Sequence, residues 1–162
     1  MNSKPENKVF TFDEILRKLE GYCAYQERCH DEVIQKAKTM TQSETVINNA
    51  VVHLIENNFL NEERFACSFA RGKHRIKFWG KSRIIRELKI RNISKYNIEK
   101  ALKEIDIEEY LENFHKLSER IWENISEKNE QRKKKKFCDY LLRKGFESNL
   151  IYEKLTDLLA QK

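Results

Sequence analysis

Gly80-Lys81-Ser82-Arg83-Ile84-Ile85-Arg86-Glu87-Leu88-Lys89-Ile90-Arg91-Asn92-Ile93-Ser94 is the stretch on which the fold turns. Ile84, Ile85 and Leu88 recur at three and four, the period of a helix with one buried face, and Ser94 opens a second run carrying Ile98 and Leu102. Fifty-one residues earlier, Gly80, Ile84, Ile85, Leu88, Ile93, Ser94, Ile98 and Leu102 find counterparts in Cys29, Val33, Ile34, Ala37, Gln42, Ser43, Ile47 and Val51. Fifty-three residues later, Leu88, Ile93, Ile98 and Leu102 find theirs in Leu141, Phe146, Ile151 and Leu155. A recurrence near fifty residues marks tandem supersecondary units.

Outward from this stretch, the one proline is Pro5, and nothing after it forbids helix. Thr11-x-x-Glu14 has the form of a capping box, with Phe10 and Ile15 at staple spacing, ahead of an apolar face of Ile15, Leu16, Leu19, Tyr22 and Cys23. Thr41-x-x-Glu44 precedes a face of Val46, Ile47, Ala50, Val51, Leu54 and Ile55. Asn61 is placed to cap a helix with Glu62 and Glu63 in its first turn, and Leu60 and Phe65 form a second staple pair. A long face of Ile107, Tyr110, Leu111, Phe114, Leu117, Ile121, Trp122 and Ile125 follows. The expected helices are 12–26, 30–39 and 43–57, then 61–73, 80–91 and 94–104, then 107–128, 131–144 and 148–160. The expected fold is all-α, three tandem three-helix units forming an elongated curved array. A flexible tail over 1–10 leads into units at 11–58, 59–105 (the basic one) and 106–162.

Composition agrees with a folded helical chain. Of 162 residues, 40% are hydrophobic and 36% charged, with 4 Gly and 1 Pro, which excludes collagen-like, loop-rich and wholly disordered classes. Cys23, Cys29, Cys67 and Cys138 form no C-x-x-C pair and read as reduced thiols of the core or its edge. The N-terminus lacks an apolar leader segment, and no apolar run approaches the ~20 residues of a membrane span, so a soluble, cytoplasmic protein with no membrane partner is expected; a monomer is the expected state.

Charge is unevenly distributed. The chain carries 32 Lys+Arg against 26 Asp+Glu, a net of +6. Between Arg71 and Arg91 stand nine bases and one acid, Glu87. At 100° per residue Arg83, Arg86 and Lys89 share a face opposite Ile84, Ile85 and Leu88, so this helix offers cations outward. Phe78 and Trp79 lie within the run, where they either stack on nucleic-acid bases or pack in the repeat. Glu104–Glu130 holds nine acids against three bases, and Arg132–Lys136 is a block of five bases that either engages phosphates or neutralises the acidic helix before it. A basic strip of this kind suits a polyanion such as nucleic acid or an acidic protein groove.

Catalytic motifs fail on inspection. Gly80-Lys81-Ser82 resembles the end of a phosphate-binding loop, but Arg75 stands where that motif needs glycine. His30, His53, His74 and His115 have no metal-ligand or nucleophile spacing. Adjacent acids such as Glu62-Glu63 and Glu108-Glu109 diverge by about 100° on a helix and do not converge on a metal or a scissile bond. The expectation is therefore no enzyme, no metal and no cofactor.

The segments Leu54–Ala66, Lys77–Leu88 and Lys144–Phe146 are together similar to the RecX family of regulatory proteins. Leu54-Ile-Glu-Asn-Asn-Phe59-Leu60-Asn61-Glu62-Glu63-Arg64-Phe65-Ala66 resembles that family's signature ending in Glu-Arg-Phe-Ala. Lys77-Phe78-Trp79-Gly80-Lys81-Ser82-Arg83-Ile84-Ile85-Arg86-Glu87-Leu88 resembles its lysine, glycine, arginine-isoleucine and leucine helix, and Lys144-Gly145-Phe146 its closing turn. Arg28-Cys29-His30-Asp31-Glu32-Val33 fits less well, Cys29-His30 replacing a common tyrosine-serine, while Asn58 and Asn61 replace a usual glycine and acid. The likeness runs from about Cys23 to Leu159.

What the resemblance implies is a non-enzymatic regulator that lies in the groove of a RecA-type recombinase filament on single-stranded DNA. It would inhibit that filament's ATPase, growth and strand exchange in DNA repair and recombination. The residues alone admit an alternative, a general nucleic-acid-binding helical protein acting without a recombinase. Candidate filament- or DNA-binding residues come from the charge pattern: Arg71, Lys73, Arg75, Lys81, Arg83, Arg86, Lys89 and Arg91, with Arg132, Lys133 and Lys134.

Overall fold

The computed structural model describes residues 9–160, and among these there are nine helices and no strand. They are α1 (Phe12–Tyr25), α2 (His30–Lys38), α3 (Glu44–Glu56), α4 (Glu62–Lys77), α5 (Lys81–Ile90), α6 (Lys95–Lys103), α7 (Ile107–Asn124), α8 (Glu130–Lys144) and α9 (Ser148–Ala160). The expected tail lies outside the described residues except for Val9 and Phe10. The all-α repeat expectation holds, and the chain divides into two compact units, Met1–Phe65 and Ala66–Lys162.

In the first unit the capping box forms as its spacing requires. Glu14 N–H donates to Thr11 Oγ1 (3.3 Å) and Thr11 N–H donates to Glu14 Oε2 (2.9 Å). Ile15, Leu19 and Cys23 of α1 pack with Val33 and Ala37 of α2 and with Ile47, Ala50 and Leu54 of α3, while Phe10 seals the edge of this core. Two details differ from expectation. The cap of α3 is Ser43, whose hydroxyl accepts from Val46 N–H, while Thr41 Oγ1 accepts from Ser43 N–H and orders the turn before it. Ile55 is exposed, because it stands one residue, about 100°, beyond the Ile47–Ala50–Leu54 stripe.

The turn into α4 explains the departure at Asn58. Asn58 has φ 59°, in the left-handed region that glycine fills freely and asparagine tolerates. Phe59 N–H then donates to Leu54 O (2.8 Å), closing α3. Arg64 fastens the turn by donating to Asn58 Oδ1 (2.9 Å) and Asn58 O (3.0 Å) and by pairing with Glu27. Asn61 caps α4 as expected, accepting from Arg64 N–H at 2.8 Å.

The second unit reuses the repeat. Ser94 caps α6 through Asn97 N–H just as Ser43 caps α3, and Val33/Ile84, Ala37/Leu88 and Ile47/Ile98 are all buried. At the other offset, Asn92 (φ 57°) and Gly145 (φ 91°) are left-handed residues ending α5 and α8, each followed by a buried residue whose N–H closes the helix: Ile93 on Leu88 O and Phe146 on Leu141 O. Tyr110, Phe114 and Phe146 form an aromatic centre, with Phe146 5.5 Å from Tyr110 and 5.1 Å from Phe114. Two helix ends moved. α4 continues to Lys77, where Phe78 turns left-handed (φ 52°), and α7 stops at Asn124, whose amide donates back to Arg120 O (2.8 Å).

Candidate functional site

The basic helix α5 is seated by its backbone. Gly80 N–H donates to Lys144 O (2.7 Å) and Ser82 N–H to Gly145 O (3.1 Å), so the first amides of α5 satisfy the last carbonyls of α8. A methyl group on Gly80 would strike the backbone of Gly145 and Phe146, and one on Gly145 would strike the backbone of Arg83, so glycine at both positions permits the approach. Lys81 N–H donates to Tyr110 Oη (3.2 Å), which in turn donates to Glu147 (2.6 Å). Burial, with the Glu147 hydrogen bond, holds the Tyr110 phenol far above its ordinary pKa, so it stays a neutral donor.

The eleven candidate cations separate into groups. Arg71 pairs with Glu104 (2.6 Å), Arg75 makes a two-pronged pair with Glu109 (2.8 and 3.0 Å), Arg91 pairs with Glu87 (2.9 Å) and Lys134 with Glu130 (2.8 Å). Lys73 lies over Phe69 and Trp79, Lys81 over Tyr110 and Lys133 over Trp122. Arg83 stacks on Trp79, 4.1 Å from the ring centroid, and donates to Arg143 O (3.3 Å). Arg86, Lys89 and Arg132 are exposed and their side chains contact no acid or ring among the described residues. Trp79 is half-buried under Lys73 and Arg83 and against Phe69, which is the packing alternative for this aromatic.

The acidic stretch is largely engaged within the chain. Besides Glu104 and Glu109, Glu119 pairs with the buried Lys154 (2.6 Å), Glu112 with Lys116 (2.6 Å) and Glu127 with Lys136 (2.9 Å). Hydrogen bonds from these partners hold the Glu109, Glu119 and Glu127 carboxyls below the ordinary range. The Arg132–Lys136 block thus divides: Lys134 and Lys136 neutralise acids, while Arg132 and Lys135 remain open.

Cations outside the candidate set converge on α5. Arg143, at the end of α8, lines a surface depression with Arg83, Arg86 and Leu142. Lys144 donates to Lys77 O (2.9 Å); burial lowers its pKa, and Arg83, Arg120 and Lys77 lower it further. The sequence signal was present, since Arg143 and Lys144 precede the Gly145 turn, but a basic last turn is also ordinary helix-end chemistry. His74 is buried; its Nδ1–H donates to Trp79 O (3.0 Å) and its Nε2 accepts from Asn113 (3.1 Å). Cys23 and Cys29 are buried, Cys67 and Cys138 half-buried, all free thiols. Among the described residues no helix is long and apolar enough to cross a membrane.

With this arrangement established, comparison with known proteins gives two family matches. The model of the RecX second three-helix domain matches residues 61–102, and that of the RecX third three-helix domain matches residues 108–155. The chain belongs to the RecX family. Similar RecX relatives include the regulatory protein RecX of Bacillus cytotoxicus, 25% identical over 142 residues (88% of this chain, 53% of that protein). The regulatory protein RecX of Lactobacillus gasseri is 29% identical over 138 residues (83% and 51%). The chain spans about half the length of the curated RecX proteins it matches. The crystal structure of RecX from Lactobacillus salivarius superposes with a TM-score of 0.75 at 24% identity, covering 91% of this chain and 96% of that one. A second RecX crystal structure gives 0.75 at 23%, covering 90% and 73%, so the RecX fold is shared.

Proposed function

We propose that this chain is a regulator of a RecA-type recombinase, binding its filament on single-stranded DNA and inhibiting ATP hydrolysis, filament growth and strand exchange. It acts as a cytoplasmic monomer of three three-helix units, with no catalysis or cofactor of its own. The observation that carries the reading is the open cation face of α5. Arg86 and Lys89 meet no acid while Arg71, Arg75 and Arg91 of the same run do, and an unneutralised row of this kind favours an anionic polymer. Arg71, Arg75, Arg91 and Lys134, already paired, contribute less. Membership in a family of regulatory proteins supports the rest.

The test is DNA-dependent ATP hydrolysis by the recombinase of the same organism, with single-stranded DNA in excess and this protein titrated from far below stoichiometry. Inhibition at a small fraction of the recombinase concentration is the expected result. Inhibition only as the DNA becomes saturated would instead assign the chain to general nucleic-acid binding, which the same cation face also serves.

A further inference from the structure

We propose that α5 and the last turn of α8 form a pocket for a backbone phosphate of single-stranded nucleic acid, gripped by Arg86 and Arg143 and walled by Arg83. The assignment rests on the reading of α5 as a polyanion face and adds the place and the ligand. Three arginines and Leu142 line the depression, and no acid lines it. Neither Arg86 nor Arg143 has a side-chain partner among the described residues, so both guanidinium groups are available to oxygen acceptors. Arg83 is held in place by Trp79 and Arg143 O, which fixes one wall before any ligand arrives.

The seat of the pocket is equally fixed. Gly80 and Gly145 bring the two helices together backbone to backbone, so the spacing of the backbone positions that carry Arg86 and Arg143 is set by main chain. Lys144, Lys77 and Arg120 add positive charge close by, and their mutual repulsion is relieved by an anion. Lys89 follows Arg86 one turn along α5 and Leu142 is 44% exposed beside it, which suits a chain of phosphates joined by apolar sugar edges better than a lone phosphate group.

The experiment measures anisotropy of a labelled oligodeoxythymidylate of about 20 nucleotides against the full chain over a range of KCl concentrations. Arg86→Gln with Arg143→Gln is expected to lower affinity by about tenfold or more. The slope of log affinity against log salt should shrink by about 0.7, the value for one single-strand phosphate contact. Arg17→Gln with Lys38→Gln, two exposed cations outside the candidate set, is the control and should leave the slope as it was. Circular dichroism verifies that both pairs of variants keep their helices. The pocket is overturned if the Arg86/Arg143 variant keeps wild-type affinity and slope, if the control pair loses as much, or if phosphatidylglycerol vesicles are bound and the oligonucleotide is not. It is equally overturned by a wild-type chain that restrains the recombinase at low ratio yet fails to bind the oligonucleotide, while the regulator reading survives that result. Oligonucleotide binding with the expected slope loss but no low-ratio inhibition sustains the pocket and removes the regulator reading.

Discussion

α4 and α5 are neighbouring basic helices held in opposite ways. α4 is fixed by its side chains: Phe65 and His74 are buried, and Arg71 and Arg75 reach acids 33 and 34 residues away. α5 is fixed at its N-terminus by main chain, through Gly80 and Ser82 on the end of α8, and on one face by Ile84 and Leu88. Because backbone and apolar groups do the holding, Arg86 and Lys89 of α5 are left for a partner, whereas Arg71 and Arg75 of α4 are not. Charge counted along a sequence is therefore not charge presented at a surface.

The contrast can be broken at its root. Phe65→Ala removes a ring that is 4% exposed and is expected to lower stability by about 3–5 kcal/mol in denaturant unfolding; an unchanged midpoint would place Phe65 outside the core. Gly80→Ala forces a methyl into the Gly145 backbone and should cost about 1–3 kcal/mol. Gly72→Ala in α4 meets nothing and should instead stabilise by about 0.5–1 kcal/mol, so the two glycine variants move the melting temperature in opposite directions. If both stabilise, the backbone seat of α5 is wrong.

Smaller effects sharpen the comparison. Glu119 and Glu127 have folded-state pKa values held below the ordinary 4.5 by Lys154 and Lys136. Their contribution is present above that value and is lost as pH falls through the lowered ones, so melting temperature should drop on acidification below about pH 4.5. Glu119→Gln should flatten that limb while costing only about 1 kcal/mol near neutrality, since Glu119 is 54% exposed. Smallest of all, Arg86→Gln with Lys89→Gln should leave stability within about 0.5 kcal/mol while weakening oligonucleotide binding. A large loss of stability would mean that these side chains hold α5 after all. Arg83 is omitted from this pair because its contact with Trp79 makes it part of the packing.

What was legible followed from local chemistry. Thr11 with Glu14, Asn61 ahead of its acids and Ser94 ahead of α6 are interactions spanning three residues, and they form as the spacing requires. The fifty-residue recurrence was legible because the buried Val33, Ala37 and Ile47 recur at one spacing as the buried Ile84, Leu88 and Ile98. The division of cations into paired and open was not legible. Arg75 and Glu109, or Lys154 and Glu119, are brought together only by packing, and no periodicity joins residues 34 or 35 apart. Arg143 was missed for the same reason, since its nearness to Arg86 arises from the α5–α8 crossing. The four residues by which α4 exceeds expectation carry no breaker, and the helix ends only where Phe78 leaves helical space.

The bonds from Gly80 and Ser82 to α8 bear on how the second unit opens. First-turn amides of a helix ordinarily exchange with solvent quickly, for want of an intrahelical acceptor. Here those two hydrogens are held by carbonyls more than sixty positions away in the chain. They should exchange at the rate at which α8 lets go, so slow deuterium uptake at Gly80 and Ser82 would report a single cooperative opening event spanning α5 and α8.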